Sequence, residues 1–506
     1  MKRSLVTLSL LLGGALLSGC VDERVVQVPG PVFTEPNPSA LNFVGYSDQA
    51  EKLTVCGNCH VGQQENWEGT AHARAWASLV AENAQNRAEC QACHSTNTLG
   101  NPQTGSQGGY LGSKEARYQD VQCEGCHGPG LAHVRRPDGT QPLAPMRVGL
   151  DMTQGCGECH RGAFSPFVEE WAQSAHGRVP NQANPGGRAE CEGCHTGEGF
   201  LKMQGVRAEY LEKDTVHTSL QNNLPITCAT CHDPHDAEFE GQLRKPVNTP
   251  DIDQNLCAQC HKRTVEPNPA SRYGLSPHAP EASLLVGEAG YFFPGTELDR
   301  GKILGTHGGE RNPRLCATCH VTSFSTQVQG TRISTTGHLF NAIPCVDAQG
   351  RPQPREVQCA VTAQARSFKG CTGSGCHGTD EAAASALLTA AARLQRLATE
   401  LEELLKQVDP GLTAPGGEID PTKPTLTVAE GAYFNLELAQ FRGELEQLNK
   451  PLDPTRPGIL TWGSAVHNPF MMESLLLTSI EQVERTYGVR ASRTLPRTAL
   501  LQQPAR

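Results

Sequence analysis

Apolar side chains are scarce in this 506-residue sequence, which holds 37% hydrophobic and 5% aromatic residues. Ordinary globular proteins contain about 45–50% apolar residues, so this chain needs another source of buried surface. After the first twenty residues, no stretch is apolar enough to cross a bilayer. Basic residues are also in deficit, and the formal net charge is −10. This balance argues against nucleic acid as a partner and allows docking to basic proteins.

Cysteine and histidine are abundant, and most of them fall into one repeated pattern. Cys-x-x-Cys-His occurs eight times, as motifs one to eight: Cys56, Cys59, His60; Cys90, Cys93, His94; Cys123, Cys126, His127; Cys156, Cys159, His160; Cys191, Cys194, His195; Cys228, Cys231, His232; Cys257, Cys260, His261; and Cys316, Cys319, His320. A stretched motif nine contains Cys371, Cys376 and His377. The pattern is typical of covalently bound haem c, whose vinyl groups bind the two thiols and whose iron binds the histidine. We therefore predict nine haems, or eight if motif nine is unused.

Structural zinc and a disulfide framework are the alternative interpretations of paired cysteines. Zinc does not require a histidine directly after every second cysteine, yet here that histidine is always present. Disulfides within each Cys-x-x-Cys pair would close no long loop and would add little stability. Haem is therefore the favoured interpretation.

The motifs lie too close together for each haem to have its own protein core, since successive motif histidines are 29 to 59 residues apart. We predict a mainly α-helical fold with extensive irregular loops, in which stacked haems form the core of residues 51–378. Residues 379–506 are predicted to form a C-terminal domain of long helices. The seven-residue spacing of Leu387, Leu394, Leu401 and Val408 supports this prediction. Asp409-Pro410-Gly411 ends that helix, Thr427 and Glu430 form a capping box for a second, and Asn468 caps a third that ends near Gly488.

An internal duplication is visible within the multihaem domain. Asn66–His72 matches Glu170–His176, and Arg87–Cys90 matches Arg188–Cys191. We therefore predict three-haem units at about residues 51–150 and 151–240, followed by residues 241–378.

The start of the sequence predicts export. A basic start and an apolar run from Leu5 to Leu17 are typical of a secretory signal peptide, here residues 1–19. The ending Leu17-Ser18-Gly19-Cys20 resembles the bacterial lipobox, so Cys20 is predicted to carry lipid and residues 20–50 to form a flexible tether. An ordinary signal peptide with an incidental cysteine is the alternative. The predicted location is the outer membrane, at its periplasmic or extracellular face, rather than the inner membrane.

Several of these stretches resemble the multihaem c-type cytochromes that include the tetrahaem cytochrome of nitrification, hydroxylamine oxidoreductase and pentahaem nitrite reductase. The resemblance is carried by the Trp-x-x-Thr/Ser-Ala-His stretches ending at His72 and His176, by Cys123-Glu-Gly-Cys126-His127-Gly-Pro-Gly-Leu-Ala-His133, and by Cys228-Ala-Thr-Cys231-His232-Asp-Pro-His235. It covers about residues 50–240. In addition, His467-Asn468-Pro469 resembles a distal-ligand site of the nitrite reductase relatives. The resemblance implies a second, distal histidine on the haem irons.

Nine histidines lie outside the motifs, one for each predicted haem: His72, His133, His176, His217, His235, His278, His307, His338 and His467. We predict that they are the distal ligands. Only five methionines follow Met1, so methionine cannot be the general distal ligand. Paired histidines also lower the haem potential relative to a methionine–histidine pair.

Cys345 and Cys359 belong to no motif. We predict a disulfide between them, because the exported compartment is oxidising. Free or irregular haem-binding thiols are the alternative.

Function follows from the ligands, because an iron with two histidines exchanges electrons without binding substrate. The predicted function is electron transfer along close-packed haems, to redox partner proteins such as other cytochromes, quinol-oxidising complexes or outer-membrane conduits. Two alternatives stay open. The first is an oxidoreductase with one open haem that converts nitrite, hydroxylamine or a sulfur oxyanion. The second is a homo-oligomer or haem filament.

Overall fold

The computed structural model describes residues 33–103, 107–139, 141–144, 155–162, 165–177, 189–206, 224–271, 274–328, 331–354, 357, 359–373, 375–414, 417–440 and 462–492. The predicted signal peptide, Cys20 and His217 lie outside these residues. The described chain is mainly helical with long irregular connections, which confirms the predicted fold class. Within it, no helix combines the length and the apolar composition needed to span a bilayer.

Short elements form the part of the chain before residue 379. Its α-helices are Val61–Glu68, Ala75–Ala81, Ala88–Gln91, Gly109–Ser113, Cys123–His127, Leu131–Arg135, Phe167–Gln173, Ala189–His195, Gly197–Met203, Cys228–Cys231, Glu281–Leu285, Cys316–His320 and Lys369–Thr372. Its 3-10 helices are Pro38–Ala40, Cys56–Asn58, His72–Arg74, Ala116–Tyr118, Gly155–Glu158, Glu240–Gln242, Cys257–Gln259 and Thr306–Gly308. Two antiparallel hairpins pair Tyr46–Asp48 with Leu53–Thr54 and Phe324–Val328 with Thr331–Thr335.

Longer helices follow motif nine. They are Asp380–Val408, Pro410–Thr413, Val428–Gln440, Trp462–His467 and Pro469–Tyr487. Leu387, Leu394 and Leu401 lie on the buried face of the first helix, and each is at most 5% exposed. Together these helices enclose the largest apolar cluster of the described residues. The predicted C-terminal helices are therefore present.

Local sequence signals set the ends of these helices. The Glu430 carboxylate accepts the Thr427 N–H at 2.8 Å, and the Thr427 hydroxyl accepts the Glu430 N–H at 3.2 Å, which is the predicted capping box. The Asn468 side chain accepts the Met471 N–H at 3.0 Å. Both capping predictions are confirmed.

The predicted tether of residues 20–50 is wrong in its last part. Phe43 and Val44 are fully buried. The buried Glu124 carboxylate, inside motif three, accepts the N–H groups of Val44 at 2.9 Å and of Gly45 at 2.8 Å. Burial raises the pKa of Glu124 to about 7 in spite of these hydrogen bonds. Residues from Ala40 onward are therefore part of the folded domain, because Phe43 and Val44 supply apolar surface that the chain otherwise lacks.

Candidate haem sites

Each standard motif forms one helical turn from its first cysteine to its histidine. The histidine N–H donates to the carbonyl of the first cysteine at 2.9 Å for His60, 2.8 Å for His160 and 2.8 Å for His232. Residues three and four positions apart share one side of a helical turn, so both thiols and the imidazole face the same space. This is the arrangement that covalent attachment and iron ligation by one haem require.

Motif nine closes a similar turn despite its two additional residues. The His377 N–H donates to the Cys371 carbonyl at 3.1 Å. Gly375 has a φ of 76°, a left-handed conformation that glycine adopts without steric cost. The stretched motif therefore presents Cys371 and His377 as the standard motifs present their first cysteine and histidine.

Eight motif histidines each face a second histidine that lies outside the motifs. The ring centres are 6.0–6.3 Å apart in the pairs His60–His133, His160–His72, His127–His235, His261–His176, His195–His278, His232–His338, His377–His307 and His320–His467. A nitrogen–metal bond of about 2.0 Å on each side predicts about 6.2 Å between ring centres that share one metal ion. The separation in every pair fits a single iron between the two rings.

For motif two, the described residues include the motif histidine but not its predicted distal ligand. Nδ1 of His94 lies 2.9 Å from the Ala75 carbonyl oxygen. Within the described residues no other histidine ring pairs with His94. The remaining predicted distal ligand, His217, lies outside them.

Backbone carbonyls orient several of the paired imidazoles. In four histidines, Nδ1 lies 2.6–3.0 Å from a backbone carbonyl oxygen. The pairs are His127 with Pro142, His232 with Gly241, His320 with Phe340 and His307 with Val466. A carbonyl oxygen only accepts hydrogen bonds, so Nδ1 carries the proton in these rings. Nε2 then keeps the lone pair that binds a metal, as is usual for histidine ligands.

Burial keeps these imidazoles neutral. It lowers the pKa of His72, His176, His338 and His467 to about 4, and repulsion from neighbouring histidines adds to the effect. Only a neutral imidazole can bind a metal. These rings are therefore in the ligating form at neutral pH.

The two Trp-x-x-Thr/Ser-Ala-His stretches are held by equivalent hydrogen bonds. Trp67 Nε1 donates to the Val121 carbonyl at 3.0 Å, and Trp171 Nε1 donates to the Ile226 carbonyl at 2.8 Å. Each acceptor lies two residues before the first cysteine of a motif, three and six respectively. The stretches then present His72 to motif four and His176 to motif seven, in each case three motifs further along the chain.

Thiols of different motifs interact electrostatically in five pairs. The first cysteines pair as Cys56 with Cys123, Cys156 with Cys228 and Cys257 with Cys316, and the second cysteines as Cys93 with Cys159 and Cys194 with Cys260. In each pair this interaction lowers the pKa of one thiol and raises that of the other. Motif one is thus beside three, two beside four, four beside six, five beside seven, and seven beside eight.

Weaker electrostatic contacts connect the remaining motifs. Cys126 of motif three interacts with Cys156 of motif four, Cys231 of motif six with Cys257 of motif seven, and Cys319 of motif eight with Cys376 of motif nine. Motifs one, three, four, six, seven, eight and nine therefore form one continuous row. Motifs two and five join it from the side, at motifs four and seven.

The C-terminal helices take part in two of the paired sites. His467 ends the helix Trp462–His467 and faces His320 of motif eight. The adjacent Val466 carbonyl accepts from His307, which faces motif nine. Two neighbouring residues of the C-terminal region thus contribute to the sites of motifs eight and nine.

Two further site predictions concern cysteines outside the motifs. The structure joins Cys345 and Cys359 by a disulfide, with their Cα atoms 6.0 Å apart. The predicted lipid site, Cys20, lies outside the described residues.

Glu281 lies beside a paired histidine, and the sequence did not predict it. Its Oε2 atom is 3.4 Å from Nδ1 of His261 in motif seven. The short helix that Glu281 begins carries no recognisable motif, so no local signal indicated this contact.

Known families match two parts of the chain. The family described as cytochrome c554 and c-prime matches residues 55–128, which hold motifs one to three. A doubled Cys-x-x-Cys-His family matches residues 217–266, which hold motifs six and seven. Both matches fall on the predicted haem motifs.

Individual relatives are also multihaem proteins. The chain is 30% identical over 203 residues to the C-type polyheme cytochrome OmcC of Geobacter sulfurreducens, covering 36% of this chain and 23% of OmcC. It is 34% identical over 91 residues to cytochrome c-554 of Nitrosomonas europaea, covering 15% of this chain and 36% of that protein. The chain thus spans well under two thirds of both relatives. The crystal structure of the outer cell wall cytochrome OcwA aligns with 87% of this chain and 99% of its own, with a TM-score of 0.49 and 15% identity.

Proposed function

Because the chain is a multihaem c-type cytochrome, we propose that it transfers electrons along haems that are each held between two histidines. When bound, these haems supply reversible one-electron exchange at iron. The paired histidines fill both axial positions and so keep substrates off the metal. The observation that carries this proposal is the separation of 6.0–6.3 Å in eight histidine pairs.

Nine haems are proposed, one for each motif. The support for motif nine is the hydrogen bond from His377 to Cys371 together with the facing ring of His307. For motif two we propose that His94 pairs with His217, since every other histidine of the chain already has a partner. In addition, Nδ1 of His94 contacts the Ala75 carbonyl oxygen, as Nδ1 of several other paired histidines contacts a backbone carbonyl.

The order of contacts between the motifs suggests the route. Electrons entering at motif one would pass through motifs three, four, six, seven and eight to motif nine, or in the reverse direction. Motifs two and five provide side entries at motifs four and seven. Since electron transfer weakens steeply with distance, motifs whose thiols interact are the natural steps of this route.

Location and partners follow from the start of the sequence and the charge. We propose that the protein is exported and held by lipid on Cys20 at the outer membrane, and that it exchanges electrons with other cytochromes there. The net charge of −10 favours partners with a basic docking surface. If this is right, Cys20→Ala releases the protein from membranes without changing its haem content, and persistent membrane attachment would contradict the lipid anchor.

The replacement His467→Ala tests the paired ligation. It should open one axial position on the haem of motif eight, because the imidazole facing His320 is removed. One low-spin signal in electron paramagnetic resonance (EPR) should become high-spin, and the reduced protein should bind about one carbon monoxide per chain. The mass should still show every covalent haem.

Val466→Ala is the matched control, because it changes the neighbouring side chain and leaves both imidazoles in place. An unchanged spectrum of His467→Ala would show that His467 does not ligate a haem. A carbon monoxide site already present in the wild type would instead favour the oxidoreductase alternative. Motif two is the first place to look for it, and His217→Ala should then leave the wild-type spectrum unaltered.

A further inference from the structure

His261 of motif seven has a different hydrogen-bond partner from the other oriented histidines. Its Nδ1 lies 3.4 Å from Oε2 of Glu281, whereas His127, His232 and His320 use backbone carbonyls. A carbonyl oxygen is a neutral acceptor, but a carboxylate carries a full negative charge. The histidine that donates to it becomes a more basic ligand through its other nitrogen.

The backbone fixes Glu281 in this place. The Ala282 N–H donates to the His261 carbonyl at 3.0 Å. Glu281 is the first residue of the helix Glu281–Leu285 and follows Pro280, which restricts the chain at the helix entry. A backbone hydrogen bond therefore holds the residue after Glu281 against His261 and so keeps the Glu281 carboxylate near the imidazole.

The groups near Glu281 are mainly imidazoles. His467, His320 and His278 interact electrostatically with its carboxylate, as His261 does. Arg263 interacts with the neighbouring His278 and Cys194. Among the ion pairs of the described residues, the one that involves Glu281 is with His261.

A second carboxylate beside a paired histidine makes a useful contrast. Asp233 Oδ1 is 3.7 Å from Nδ1 of His235, which faces motif three. However, Arg244 holds the other oxygen of Asp233 at 2.6 Å and offsets its charge. Of these two carboxylates, Glu281 is therefore the one that forms no ion pair with an arginine or lysine among the described residues.

We propose that Glu281 is a positioning residue that lowers the reduction potential of the haem at motif seven. This inference rests on the proposed function, in which His261 and His176 ligate that iron. A more basic axial ligand and a nearby negative charge both stabilise the oxidised iron relative to the reduced one. Motif seven lies beside motifs five, six and eight, so a lower potential at its haem favours passing electrons on to these neighbours.

The test is a redox titration of the fully haem-loaded protein followed by EPR. Glu281→Gln keeps the shape of the side chain and removes its charge. At a fixed potential near the midpoint, the oxidised-to-reduced ratio of one haem should fall about tenfold, which corresponds to a positive shift of about 59 mV for a one-electron couple. Glu281→Asp should restore part of the shift. Asp233→Asn is the matched control and should give a smaller shift at a different haem.

His176→Ala assigns the shifted signal. This variant should turn the motif-seven haem high-spin, and the low-spin signal that it removes must be the one that Glu281→Gln shifts. If His176→Ala opens a haem but Glu281→Gln shifts nothing, or shifts another signal, the inference about Glu281 is wrong and the paired ligation stands. If His176→Ala opens no haem, the paired ligation at motif seven itself fails.

Discussion

The motif-bearing region and the C-terminal helices bury their surface in different ways. In the C-terminal helices, Leu394, Leu397, Leu401, Leu404 and Leu405 are fully buried in one continuous apolar cluster. The other apolar clusters of the described residues contain at most five buried side chains each. The C-terminal helices thus have a protein core, to which Leu275, Leu284, Ala289, Phe293 and Phe368 of the motif-bearing region also contribute. The rest of the motif-bearing region has only small apolar clusters.

The difference indicates where each region obtains its stability. Side chains within the C-terminal helices replace water with other side chains, which contributes about 25 cal/mol for each Å² of apolar surface removed from water. The short helices before residue 379 surround paired imidazoles and free thiols instead. Their large apolar partners are the porphyrins that these groups are proposed to hold. Stability and function therefore coincide in the motif-bearing region, whereas the C-terminal helices have a core of their own and contribute His467 to one site.

The largest effect that we expect follows from removing every haem. The motif-bearing region should then unfold while the C-terminal helices stay folded. A chain produced without haem attachment should lose most of its ordered structure between Cys56 and His377, because the small apolar clusters of that segment cannot offset the entropy of ordering it. The helix Asp380–Val408 should stay folded. Hydrogen exchange read by mass spectrometry measures both regions in one sample, with the haem-loaded protein as the control. Strong protection of the motif-bearing region in the haem-free chain would contradict the comparison.

The same boundary separates what the sequence reveals from what it hides. Motifs, the heptad of Leu387, Leu394 and Leu401, and the cap at Asn468 are local signals, and the structure contains the helices and caps they predict. Which distal histidine faces which motif is a long-range relation. His72 faces a motif histidine 88 positions further along, and only the folded chain brings the two together.

The structure also adds contacts that no pattern announces. Phe43 and Val44 were predicted to lie in a tether because several prolines precede them, yet both side chains are buried and the Val44 N–H binds Glu124 of motif three. Nothing in the sequence distinguishes Glu281 from an ordinary acidic residue at the surface of a loop. Both cases arise because a chain poor in apolar residues uses distant segments to complete each haem site.

Breaking one contact inside the C-terminal core should destabilise that region and leave the haems alone. Arg393 and Glu473 form an ion pair at 2.8 Å, and their side chains are 4% and 1% exposed. Arg393→Ala would leave the Glu473 carboxylate buried without this partner, which should cost about 3–5 kcal/mol of unfolding free energy. Denaturant unfolding followed by circular dichroism measures the loss, while haem absorption should report no change in ligation.

The double variant Arg393→Met with Glu473→Leu is the matched control. Replacing both charges with apolar side chains of similar size should be neutral or stabilising, because neither member of the pair is left buried without the other. A double variant as unstable as Arg393→Ala would mean that the pair matters through packing, and the loss could not be assigned to the buried charge.

The smallest stability loss that we expect comes from replacing Trp67. The same change should affect a haem far away in the sequence, which makes it a sharp test of how the motif-bearing region is held together. Trp67→Phe removes one hydrogen bond to the Val121 carbonyl, a loss of about 1 kcal/mol. The Val121 N–H donates to the His72 carbonyl at 3.1 Å, so the segment that carries His72 should loosen as well. A partial high-spin EPR signal should therefore arise at motif four, where His72 faces His160.

Two further variants test whether this effect is specific. Trp171→Phe should produce the same signal at motif seven through His176. Trp76→Phe, which alters a ring that packs against Tyr110, should leave every haem low-spin. A high-spin signal at the motif nearest in sequence to Trp67 would show that the tryptophan acts locally and does not position the distal ligand.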